Sequence, residues 1–113
     1  MSEIPRPREP LLRREELLSR PRPSRERLQA LIAEVLARID ANLPLFTQAF
    51  PAPSSVHGVY PAIGNVEWTN GFWTGQLWLA YELGGDDKFR QAADRHVASF
   101  FERQRDRIAT NHH

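Results

Sequence analysis

The chain contains no cysteine, which removes disulfides, thiolate catalysis and cysteine-ligated zinc together. It is also nearly without net charge: at +1 over 113 residues, no field of one sign draws nucleic acid or an anionic membrane. Fourteen of the fifteen basic residues are arginine, and six of these fall in the first 23 residues. There Glu3, Glu9, Glu15 and Glu16 dilute them, so no basic face forms. No apolar run approaches the ~20 residues of a membrane span, and no signal-peptide core follows Met1. The four histidines have no HExxH-type spacing and no cysteine beside them, so no metal site is expected. These absences point to a cytoplasmic protein with neither membrane nor nucleic acid as partner. The length allows one domain at most, or part of one.

What is present is helical. Residues 1–23 hold five of the nine prolines; Pro5, Pro7 and Pro10 break any early helix, and Pro21 and Pro23 isolate "LLRREELL". This predicts a disordered Pro/Arg-rich leader, or a peptide for docking a partner in extended form. Residues 24–113 form the domain portion. Ser24 is a good N-cap, and Leu28, Leu31, Ile32, Val35, Leu36, Ile39 and Leu43 repeat at helical spacing, predicting a helix over about 24–43 that Pro44 ends. The next two dozen residues lack helical rhythm, a loop long enough to border a binding site.

The second helix, about 69–83, is apolar on nearly every face: Phe72, Trp73, Leu77, Trp78, Leu79, Tyr81 and Leu83. Such a helix is buried on most sides. Thr69 or Asn70 caps its start and Gly84 supplies the left-handed residue at its end. Asp86 caps a third helix, about 86–108, with Phe89, Ala93, His96, Val97, Phe100 and Phe101 on its dry stripe and Arg90, Asp94, Arg95, Glu102, Arg103 and Arg105 on its wet side. With no convincing strand alternation, the fold class is all-α. An inner apolar helix paired by a tight turn to an outer amphipathic one suggests a toroid or solenoid of hairpins. Three helices cannot surround the second, so something else must cover Trp78, Leu79 and Tyr81.

The stretch "EWTNGFWTGQLWLAYELGGDDKFR", continued by Ser99, Phe100, Arg103 and the terminal His112-His113, resembles the N-terminal region of the unsaturated glucuronyl hydrolases, glycoside hydrolase family 88. The related unsaturated rhamnogalacturonyl hydrolases share a looser form of the pattern. The resemblance covers residues 68–113 well, the first helix by position only, and the leader not at all. It implies an (α/α)6 toroid of six hairpins, of which this chain would hold the first helices. It also implies an activity without cofactor: removal of a terminal 4,5-unsaturated uronic acid from lyase-generated oligosaccharides, by an Asp that helps water add across the C4–C5 double bond.

Carried over by position, Trp68 matches the aromatic that packs on the unsaturated sugar; the reading from residue type alone is a core aromatic. Asn70 either contacts substrate or caps the helix, with capping favoured by its position. The positive end of that helix could favour a uronate carboxylate. His113 matches a histidine that contacts substrate just before the first active-site Asp, and His112 is its structural neighbour. His96, on an apolar helix face, reads as a hydrogen-bonded core histidine; His57 has no partner visible in sequence. Asp86, Asp87 and Asp94 belong to caps and a solvated face. No catalytic residue falls within these 113 residues, since the resemblance puts the acids after His113 and further downstream. The chain alone is therefore expected to be inactive, its inner helix covered by the remainder of the toroid or by an oligomeric partner. The competing reading is a non-catalytic helical module that binds carbohydrate or protein.

Overall fold

The computed structural model describes residues 10–108. Helix α1 is Arg14–Ser19, within the stretch expected to be a leader without regular structure. Its six residues are stapled by Glu16, which accepts from both Arg13 and Arg20, an i, i+3 and i, i+4 arrangement that helices favour. None of its residues is buried, so it adds nothing to the core.

Helix α2 spans Arg25–Asn42. Ser24 stays extended and its hydroxyl accepts from the Arg27 amide at 3.1 Å, satisfying one orphan donor of the first turn as expected. Only the C-terminal half of the apolar stripe is covered: Ile39 is buried, Leu36 and Leu43 pack against the core, and Leu28, Leu31 and Val35 are exposed.

The long connection that follows is not structureless. Phe50–Pro51 (β1) pairs antiparallel with Ala62–Ile63 (β2), with Phe50 opposite Ile63. Two-residue strands are too short to show alternation in a sequence, which is why the all-α expectation missed the ribbon. Its outer end closes on a tight turn in which Val56 and Val59 exchange both backbone bonds, while His57 and Gly58 both take positive φ, as hairpin turns of this length demand. The connection also sends Phe46 and Phe50 into the core. Phe50 stacks on the His96 ring at 4.3 Å and meets Phe100 edge-on at 5.8 Å. Trp73 presents an edge to Phe46 and donates its indole N–H to the Phe46 carbonyl at 3.0 Å. A buried indole N–H needs such an acceptor.

Helix α3 is Asn70–Gly84 and α4 is Asp87–Arg105, an antiparallel hairpin as expected. The left-handed residue between them is Gly85, φ 74°, not Gly84. Gly84 is the last residue of α3, and a Cβ there would lie 3.2 Å from Leu36 Cδ1, so its missing side chain lets α2 approach α3. Asp86 caps α4 by accepting from the Lys88 amide at 3.1 Å. Ala92 and Ala93 are buried against α3, their small size permitting close approach.

The inner helix is less enclosed than its composition suggests. Trp78 and Tyr81 pack partly against the core, but Leu79 and Leu83 stand in solvent, facing Leu28, Leu31 and Val35 across an open apolar trough of about 290 Å³. Leu77 is 0 % exposed and Leu79 is 56 % exposed. In this chain Leu77→Ala is therefore expected to cost about 2–5 kcal/mol and Leu79→Ala less than about 0.5 kcal/mol, read from urea midpoints. Equal losses would contradict this packing.

Candidate functional site

The site begins where the chain turns into α3. Residues 64–69 form a tight corner in which Val66 donates to the Gly64 carbonyl at 2.9 Å and the Asn70 amide to Glu67 at 3.3 Å. Trp68, projecting from this corner, is 46 % exposed, and Phe72 one turn on is 63 % exposed. The two rings meet edge-to-face at 6.0 Å. Trp68 is thus no core aromatic; it is a half-open indole in T-shaped contact with Phe72. Phe72 continues into the wall of a cleft of about 610 Å³, lined also by Asn42, Tyr60, Thr69, Trp73 and Gln76. Trp68 adjoins this cleft through Phe72 and does not itself line it. Arg38 is the cation at its rim, paired with Glu34 at 3.1 Å. Among the described residues no carboxylate lines the cleft. It offers aromatic and amide surface for binding and no acid–base pair.

Asn70 does not take the capping role that its position favours. It is 0 % exposed and begins the helix without capping it. Its amide donates at 3.1 Å to the Gly64 carbonyl and at 3.1 Å to Asn65 Oδ1, folding the corner against the helix. Thr69 makes no side-chain cap either. The first turn uses neighbouring carbonyls instead, Asn70 N–H on Glu67 and Phe72 N–H on Thr69. Two of the donors that would greet a uronate at this helix end are thus already engaged.

Residue type puts Arg103 on the wet side of its helix, yet it is only 9 % exposed. Its guanidinium donates to Asn65 Oδ1 at 3.0 Å, to the Glu67 carbonyl at 2.7 Å and to the Ile108 carbonyl at 2.9 Å. The signal that could have found it is periodicity: Phe89, Ala93, His96, Phe100 and Arg103 run four, three, four and three apart on one face of α4. Val97 and Phe101, placed on the dry stripe, are exposed because they lie off that line.

His96 is the core histidine expected. It is buried, shares a hydrogen bond with Thr74 Oγ1 at 3.2 Å through Nδ1, and lies under Phe50. Burial lowers its pKa below the ordinary 6.5, against a smaller opposing pull from the backbone at Phe46 and Thr47. His57 is exposed at the hairpin tip. Asp86, Asp87 and Asp94 form surface ion pairs with Lys88 and Arg90. His112 and His113 lie outside the described residues.

No family model matches the chain. Curated proteins do. An unsaturated chondroitin disaccharide hydrolase of Streptococcus pneumoniae is 41% identical over 99 residues, 88% of this chain and 25% of that protein. An unsaturated glucuronyl hydrolase of a Bacillus species is 44% identical over 75 residues, 66% of this chain and 20% of that protein. A solved structure of an unsaturated glucuronyl hydrolase variant from Streptococcus agalactiae superposes with a TM-score of 0.89 at 34% identity, covering 99% of this chain and 32% of that one. The chain is homologous to part of the unsaturated glucuronyl hydrolases. It spans about a quarter of the length of the curated relatives it matches. Its helices accordingly form a segment of an α/α toroid. Another unsaturated glucuronyl hydrolase structure from S. agalactiae, at TM-score 0.82 and 36% identity, is complexed with dGlcA-GalNAc6S; this chain covers 26% of it.

The buried imidazole carries a pH dependence with a definite sign. An unfolded histidine takes up its proton as pH falls through about 6.5, while His96 folded resists until lower pH, so the unfolded state binds more protons there. Stability should fall as pH drops from about 7.5 to 5.5, and His96→Gln should flatten that part of the profile. An unchanged slope in the variant would mean that the imidazole is not held neutral.

Proposed function

We propose that the chain forms the aromatic wall of the sugar site in a glycoside hydrolase acting on terminal 4,5-unsaturated uronic acids of lyase-generated oligosaccharides. The observation that carries this reading is Trp68: a half-open indole at the start of an inner helix, braced by Phe72 beside an aromatic cleft. An indole face offers flat apolar area to the C–H face of a sugar ring, and an exposed aromatic pair is otherwise a liability on a surface. The reaction adds water across the C4–C5 double bond, a proton to C4 and hydroxide to C5; the hemiketal at C5 then opens and the glycosidic bond is lost. The acid for the proton transfer is not among these residues, and the ordinary pair of carboxylates flanking a glycosidic oxygen is not the template.

His113 contacts the same sugar in this reading, while Asn70 supports the site from beneath. The open trough between α2 and α3 is covered by the remainder of the toroid or by an oligomeric partner. We place the domain at residues 24–113 and the reaction in the cytoplasm; among the described residues no helix is long and apolar enough to cross a membrane.

The reaction destroys the conjugated double bond, so it is followed by loss of ultraviolet absorbance. In the complete gene product Trp68→Ala should lower kcat/KM for an unsaturated uronyl disaccharide at least about tenfold, equivalent to about 1.4 kcal/mol of transition-state binding. The thermal midpoint should barely move, because Trp68 is half exposed. Undiminished kcat/KM would remove Trp68 from the site.

A further inference from the structure

We propose that Arg103 is a positioning residue that fixes the corner bearing Trp68 and ties it to the segment leaving α4. The proposal rests on the reading of Trp68 as the sugar platform. A guanidinium has donors only and must be met by oxygen wherever it is buried. The three acceptors found among the described residues lie off its own helix. Two of them, Asn65 Oδ1 at 3.0 Å and the Glu67 carbonyl at 2.7 Å, belong to the corner; the Glu67 carbonyl is part of the peptide link to Trp68 itself. The third, the Ile108 carbonyl at 2.9 Å, holds the chain as it runs toward His113.

The network has one orientation. Because Arg103 can only donate, Asn65 must turn its oxygen toward it. Its amide nitrogen then donates to Ser99 Oγ at 2.9 Å, and the Ser99 hydroxyl donates in turn to the His96 carbonyl at 2.8 Å. Asn70 is left to meet Asn65 Oδ1 with its nitrogen. Reversing the Asn65 amide would set donor against donor, and reversing that of Asn70 acceptor against acceptor, so the corner is locked by hydrogen-bond polarity as well as by packing. Lysine, with a point charge and no planar fork, cannot hold two separate segments in the same way.

The three tryptophans, Trp68, Trp73 and Trp78, supply the test. With 5-fluorotryptophan in the complete gene product, each tryptophan gives one fluorine resonance, and Trp68→Phe, Trp73→Phe and Trp78→Phe assign these three among them. Arg103→Gln should shift or broaden the Trp68 resonance while Trp73 and Trp78 keep theirs, with Arg103→Lys intermediate. A Trp68 resonance unchanged in Arg103→Gln overturns the proposal. Should that variant lose all three dispersed signals, Asn65→Ala is read instead; it leaves the guanidinium on Glu67 and Ile108, and Trp68 must still shift alone. In parallel, kcat/KM for the unsaturated disaccharide should fall about tenfold or more in Arg103→Gln and less in Arg103→Lys. If the unsubstituted protein does not act on that disaccharide, the substrate reading fails while the fluorine result still decides the role of Arg103.

Discussion

A buried guanidinium has to be surrounded by oxygen, and much of the arrangement around Trp68 follows from that constraint. Leaving such a charge unmet in a dry interior costs several kcal/mol, on the order of the whole stability margin of a small domain. Arg103 avoids it by drawing in a side-chain oxygen from Asn65 and the carbonyls of Glu67 and Ile108. Those oxygens come from two stretches of irregular backbone with little packing of their own. The corner at residues 64–69 is ordered by polar contacts, and Trp68 stands where it does because Glu67 is held. The apolar core serves the other side of the same helices: Phe46, Phe50, Trp73, Leu77, Phe89 and Ala93 fix α3 against α4, so the corner has a rigid body to be fastened to.

The second constraint is a surplus of apolar surface. Leu28, Leu31, Val35, Leu79 and Leu83 remain exposed along one trough, a contiguous apolar surface of the kind that marks an interaction site. The chain spans about a quarter of its curated relatives' length, and helices that belong to a segment of a toroid have this appearance. The aromatic wall and the trough flank the same inner helix, α3. Its N-terminal turn carries Trp68's neighbour Phe72 to the cleft, and its C-terminal half presents Leu79 and Leu83 to the trough.

Where local chemistry decides the structure, the sequence was a good guide. Ser24 and Asp86 cap their helices because each side chain reaches an amide within three residues, and the GG pair had to end a helix. Gly85 takes the positive φ while Gly84 makes room for Leu36, and that division between the two glycines is a tertiary fact. Arg103, Val97 and Phe101 lie on the opposite sides from those their residue types suggest for one reason: helical periodicity decides which positions of α4 are covered, and a buried arginine met by carbonyl and amide oxygens reverses the usual preference. Asn70 looked like a cap because asparagine at a helix start commonly is one; here its partners lie five and six residues upstream. The ribbon was hidden because two residues per strand leave no pattern. Trp68 became legible through resemblance, since an exposed and a buried tryptophan look alike in a sequence.

The central claim is that Trp68, held in its corner, receives the unsaturated sugar. A crystal structure of the complete gene product with an unsaturated uronyl disaccharide trapped in it tests this most directly. The account predicts the ring of the uronic acid lying against the Trp68 indole, with the corner at residues 64–69 unchanged and Arg103 still on Glu67. A disaccharide bound elsewhere, with the Trp68 face open to solvent, would contradict it.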